Sequence, residues 1–133
     1  MSEPVRKSEF RNTAERNIKE LSKRLNEYFA PKVIGEVNDV FIKVTKTKGE
    51  DVPWHTHDNE DEMFYILEGS LTMFVENEPP LTLEAGEFFI VKQGVRHRVS
   101  SRDDCWMMLI ENKSTKHVGD AISHIAKSIE EQL

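Results

Sequence analysis

The stretch Val52–Gly69, "VPWHTHDNEDEMFYILEG", leads two histidines one residue apart into an acidic segment and then an apolar run. Side chains alternate faces along a strand, so His55 and His57 point the same way, roughly 6.5 Å apart, while Trp54 and Thr56 point the other way. Imidazoles placed like this can converge on one ion. Glu62 opens the apolar run, and regular parity puts Phe64 and Ile66 on its face. A carboxylate there is costly to bury unless a cation meets it, and a metal would meet it. The stretch is either a metal site or a polar turn between two strands.

A second segment, "GEFFIVKQGVRHRVS" over residues 86–100, bears on that choice. Its parity places Val95, His97 and Val99 on one face and Arg96 and Arg98 on the other. A histidine between valines looks inward. Alone it reads more readily as a hydrogen-bonded core residue; beside the first group it reads as a ligand.

Outward from these segments, short β-type runs follow one another from "VIGEV" to "RHRVSS" and "CWMMLIE", separated by "TKGED", "NEPP" and "EAGE". Many short strands with Gly, Pro and Asn turns predict a β-sandwich or barrel. On either side the period changes. Apolar residues Phe10, Ala14, Ile18, Leu21 and Leu25 predict an amphipathic helix from Ser8, as N-cap, to Ala30, where Pro31 stops it. Ile122, Ile125, Ala126, Ile129 and Leu133 predict a second, with Asp120 as N-cap. The expected plan is one domain over 1–133: a helical arm at 1–31, a barrel at 32–115 and a C-terminal helix at 116–133.

The spacing carries a family resemblance. Gly49, five residues, His55-Thr56-His57, four residues, Glu62, six residues and Gly69 resemble the first motif of the cupin superfamily at every fixed position. Gly86, five residues, Lys92-Gln93-Gly94, two residues and His97 resemble its second motif, and the sixteen residues between Gly69 and Gly86 resemble the linker of small single-domain members. Lys92 stands where that motif usually has proline, which puts the rigidity of the loop in question, and Ser101 where it usually has asparagine. The resemblance implies an all-β, antiparallel jelly-roll barrel with His55, His57, Glu62 and His97 as metal ligands. Some members have lost their ligands and bind no metal. Three imidazoles and a carboxylate suit one divalent ion, Fe2+ or Mn2+ before Ni2+ or Zn2+, with positions left for water or a chelating substrate.

Function is bounded less tightly. With 18 basic against 24 acidic residues and a formal charge of -6, the chain repels nucleic acid and anionic membranes at long range. No secretory signal or membrane-length run is apparent, so a cytoplasmic protein is expected. Cys105, the only cysteine, lies in "CWMMLI" and reads as a core residue. His117 and His124 fall outside the motifs and read as surface histidines; Asp58, Glu60 and Asp61 read as a solvated turn; Phe64, Met73 and Trp106 read as core before pocket. Gln93 and Arg96 reach the barrel mouth only if their turn is tight. Three roles stay open: a metal-dependent oxygenase or isomerase acting on a small oxygen-rich metabolite, a metal-anchored small-molecule or sugar binding module, and a structural role. Family resemblance, the apolar stripe of the first helix and the sheet edges point to a homodimer.

Overall fold

The computed structural model describes residues 9–133. Two antiparallel sheets fold against each other in a jelly roll, joined by one long strand. In chain order the elements are α1 (Ile18–Ser22), β1 (Lys32–Val37), β2 (Val40–Gly49), β3 (Glu62–Glu68), β4 (Ser70–Val75), β5 (Leu81–Glu84), β6 (Phe88–Val91), β7 (His97–Asn112) and α2 (Ile129–Gln132). The larger sheet runs β1-β2-β7-β3-β6; the smaller pairs β5 with β4 and β4 with the start of β7.

The runs "RHRVSS" and "CWMMLIE" are therefore one strand of 16 residues rather than two. Its first part pairs β4 from Val75↔His97 to Thr72↔Ser100, and its second part pairs β2 and β3 from Cys105 onward. Between Ser101 and Cys105 it carries four steps against two on β2, so the excess bulges out. Arg102 and Asp103 are exposed at that bulge, which is why polar residues that look like a turn sit inside a strand. The buried residues His97, Val99, Ser101, Cys105, Met107, Leu109 and Glu111 keep a single parity throughout.

That parity builds the core. Phe64 and Ile66 from β3, Leu71 and Met73 from β4, and Val99 and Met107 from β7 pack between the sheets. Cys105 is fully buried among them, and burial pushes its thiol up to about 12, so the expected inert core cysteine is what the fold contains.

The flanking segments depart from the expected helices. The N-terminal stripe is buried at Phe10, Leu21 and Leu25, but only Ile18–Ser22 is helical. Its N-cap is Asn17, whose Oδ1 accepts the Glu20 N–H at 3.0 Å; Ser8, the expected cap, lies outside the described residues. Phe10 and Leu25 pack on Val44, on the outer face of the larger sheet, and the Phe29 N–H donates to the Lys46 carbonyl at 2.8 Å. Packing against the sheet overrides the helical period. The C-terminal helix is likewise confined to Ile129–Gln132, with Ser128 and Glu131 forming its capping box, and Asp120 caps nothing. Ile125 is buried while Ile122 is exposed, so the segment follows the barrel surface rather than a helical stripe. Among the described residues no helix is long and apolar enough to cross a membrane.

Two motif glycines separate cleanly. Gly69 has φ +90°, and a Cβ there would meet the Asp104 carbonyl at 2.5 Å; Gly86 has φ +88° with nothing within 4 Å. Gly69→Ala is expected to cost more than about 2 kcal/mol, from left-handed strain plus displacement of backbone, and Gly86→Ala only about 1 kcal/mol. Urea unfolding of the two variants checks the order.

Candidate metal centre

His55 sits in the loop after β2, not in a strand, yet it takes strand-like pairing at one point. Its N–H donates to the His97 carbonyl at 2.9 Å, and the His97 N–H returns to the His55 carbonyl at 3.0 Å. The flanking residues are held as firmly. Thr56 donates its N–H to Asp120 Oδ1 at 2.8 Å and accepts the Asp120 N–H at 3.1 Å; the His57 carbonyl accepts the Gly94 N–H at 2.8 Å. The loop is thus tied to β7, to the C-terminal segment and to the second-motif turn. Glu62 opens β3 between Val91 of β6 and Glu111 of β7.

These elements bring His55, His57, Glu62 and His97 together. All four are buried, and each offers a ligand atom within 4.8 Å of the others. His57 Nε2 and His97 Nε2 both lie 3.6 Å from Glu62 Oε1. The tautomers follow from the carbonyls behind the rings. His55 Nδ1 contacts the Pro53 carbonyl at 2.8 Å and His97 Nδ1 the Val95 carbonyl at 3.0 Å. A carbonyl only accepts, so Nδ1 carries the proton and Nε2 presents a lone pair to the centre.

The electrostatics agree. Burial pushes His55 down to about 4, assisted by His97, and burial lowers His57 and His97 as well. The rings are neutral, in the state that ligates, so their approach to Glu62 is not an ion pair. Burial raises Glu62, opposed by hydrogen bonding with Glu111 and by the charge of Lys43. Both nitrogens of His57 and Nε2 of His97 are buried with no hydrogen-bond partner among the described residues. Each such orphan costs about 1–3 kcal/mol, an arrangement that a cation relieves. The donor set can hold a metal ion.

Behind Glu62 lies a charged chain that the sequence reading missed. Lys43 Nζ reaches Glu111 Oε1 at 2.8 Å and Gln132 Oε1 at 2.5 Å, and all three residues are buried. Glu111 is raised well above the usual carboxylate range, first by burial and then by Glu62. Parity was the available signal: Lys43 shares an inward face with Thr45 and Thr47, and Glu111 shares one with His97 and Met107.

The remaining candidates sort by contact. Asp61 belongs to more than a solvated turn: it accepts the Gln93 N–H at 2.8 Å and contacts Lys92 Nζ at 3.3 Å, clamping the turn where the motif usually has proline. Ser101 Oγ is 3.0 Å from Thr47 Oγ1. Arg96 pairs with exposed Glu76, and Trp106 lies under Lys23 on the outer surface, so neither lines the centre. His124 is exposed, as expected. His117 is not a plain surface residue. It lines the cavity beside His55 and Glu62, its Nδ1 accepts the Lys127 N–H at 2.9 Å, and burial pushes it down to about 4. No local periodicity marks it.

The chain matches the cupin domain over residues 43–111. It belongs to the cupin family. A cupin-2 domain protein from Shewanella frigidimarina is 34% identical, with a TM-score of 0.69 over 73% of this chain and 93% of that one. Bacillus subtilis YdbB is 28% identical over 102 residues, 77% of this chain and 89% of its own. The tetracenomycin polyketide synthase protein TcmJ of Streptomyces glaucescens is 33% identical over 72 residues, 54% of this chain and 48% of its own, so this cupin spans about half of that relative.

Two outcomes are expected. Lys43→Met leaves two buried acids without their cation and should cost about 3 kcal/mol in urea unfolding, much of it recovered in Lys43→Met/Glu111→Leu. The His55 contribution to the stability of metal-free protein, read as the wild-type profile less that of His55→Phe, should grow as pH rises from about 4 to 6.5, whereas the raised Glu62 and Glu111 act in the opposite sense. In that window the unfolded imidazole of His55 binds a proton and the folded one does not, so raising pH removes the unfolded state's advantage. Thermal melts across the range check the sign.

Proposed function

We propose that His55, His57, Glu62 and His97 hold one divalent ion, Fe2+ or Mn2+ before Ni2+ or Zn2+, and that this cupin is a metal-dependent enzyme of oxygenase or isomerase type acting on a small oxygen-bearing metabolite. The observation that carries the reading is the buried, convergent donor set with two unpartnered Nε2 atoms. When bound, such an ion supplies Lewis-acid polarisation of a ligand oxygen, and iron adds redox chemistry with dioxygen. The chain's own residues hold and orient. The Pro53 and Val95 carbonyls keep the His55 and His97 lone pairs aimed inward, while the Lys43 charge favours the anionic form of Glu62. Apolar walls at Phe64, Val99 and Met107 limit water beside the centre. The name of TcmJ places that relative with a polyketide synthase, which supports an oxygen-bearing organic substrate class.

One observation favours a non-catalytic binding module instead. Besides the candidate ligands, His117 is the one titratable group lining this cavity among the described residues, so proton carriers are few. We also assign a second copy of the chain to the exposed Phe88 and Ile90 on β6, which continue the outer rows of Tyr65 and Met63; a monomer in sedimentation equilibrium refutes this.

Protein purified without added metal is expected to carry close to one equivalent of a divalent ion by elemental analysis, and His97→Ala should lose most of it while staying folded. Metal content far below one equivalent, unchanged by the substitution, overturns the reading. Dioxygen uptake by iron-loaded protein with diketones, catechols and enols separates the oxygenase branch from isomerisation and from binding alone.

A further inference from the structure

The cavity beside His55 and Glu62 offers about 40 Å³, room for about three waters. Its walls are mostly apolar, with Phe29, Val52 and Val118 from one cluster and Phe64 and Met107 from the barrel core. Among the described residues neither Lys nor Arg lines it. The buried Lys43 ammonium is engaged by Glu111 and Gln132, and the Thr47 hydroxyl is engaged by Ser101. Apart from the candidate ligands, Thr45 and His117 are the polar groups left lining the space among the described residues.

His117 is set up as a neutral donor. Its Nδ1 accepts the Lys127 N–H, so the neutral ring carries its proton on Nε2. His117 stands between this cavity and the surface groove that Lys127 lines. With its pKa pushed down to about 4, chiefly by burial, the ring is uncharged near neutral pH. A phosphate ester needs cationic donors, which these walls lack. A carbonyl or enol oxygen needs one N–H and an apolar surround for its carbon body, and both are present.

We propose that the cavity takes a compact ligand with an apolar body, chelating the bound ion through carbonyl- or enol-type oxygens, and that His117 Nε2–H donates to one of those oxygens. The inference rests on the metal reading above and narrows its substrate class, setting sugar phosphates aside. His117 is then a ligand-orienting residue carried by the C-terminal segment, which Asp120 fastens to the His55–His57 loop.

The test uses full-length protein loaded with Mn2+ and titrated calorimetrically with three probes. Acetohydroxamate has a methyl body and two adjacent oxygens, 2-phosphoglycolate carries a phosphate, and azide binds a metal without needing a second contact. Wild type should bind acetohydroxamate at least about tenfold more tightly than phosphoglycolate. His117→Ala should weaken acetohydroxamate about tenfold, the scale of one lost hydrogen bond in a dry site, and leave azide within about twofold. His117→Gln, which keeps an acceptor and a donor, should restore most of the loss. If the alanine variant does not fold, His117→Met removes the donor at similar volume and gives the same reading. Phosphoglycolate binding as tightly as acetohydroxamate overturns the proposal. So does an acetohydroxamate affinity indifferent to position 117, or a parallel fall in azide and acetohydroxamate. Wild type that takes up no Mn2+ refutes the metal reading itself, and elemental analysis registers that before any probe is added.

Discussion

The paired hydrogen bonds between His55 and His97 are the constraint on which the site depends. At 2.9 and 3.0 Å they join a loop to the first residue of β7, forty-two positions further along the chain. Two imidazoles are thereby set side by side, with ring centroids 4.3 Å apart. The bridge also fixes which way each ring turns, because the carbonyls that hold Nδ1 belong to Pro53 and Val95, two residues upstream of each histidine.

Charge compensation in the interior is a second constraint. Glu62 is committed to the centre by β3, and its register partner on β7 is a second acid, Glu111. Two carboxyl groups in a dry interior cannot both ionise without cationic support. Lys43 supplies it from β2, and Gln132, four residues into the last helix, satisfies a further Lys43 donor. The C-terminal segment thus completes the polar interior through Gln132, the cavity wall through His117 and Val118, and the anchoring of the His55–His57 loop through Asp120. A segment with only four helical residues is ordered by these contacts more than by its own propensity.

Alternation made most of the barrel legible. His97, Val99, Met107 and Glu111 keep one parity through a bulge that reads locally as a turn, and His55, His57 and Glu62 fall on the inward face that simple period-two reasoning assigns. The helices were less legible because their stripes answer to another surface: Phe10 and Leu25 are buried against Val44, and burial satisfies an apolar residue whether or not its backbone is helical. His117 carried no local sign, since its neighbours Lys127, Glu111 and His55 come from three separate parts of the chain.

The sequence by itself determined which donors cluster, three histidines and one glutamate, at spacings that a bridged loop and the alternation of β3 and β7 bring to one inward face. It also determined the antiparallel barrel, because alternation and turn residues are local properties. Only the tertiary structure decided the tautomers, the partner behind Glu62 and the polarity of the adjacent cavity. Those depend on groups that meet through register between distant strands and through a tail docked across the barrel. Such meetings are set by packing of the whole molecule, which no window of neighbouring residues contains.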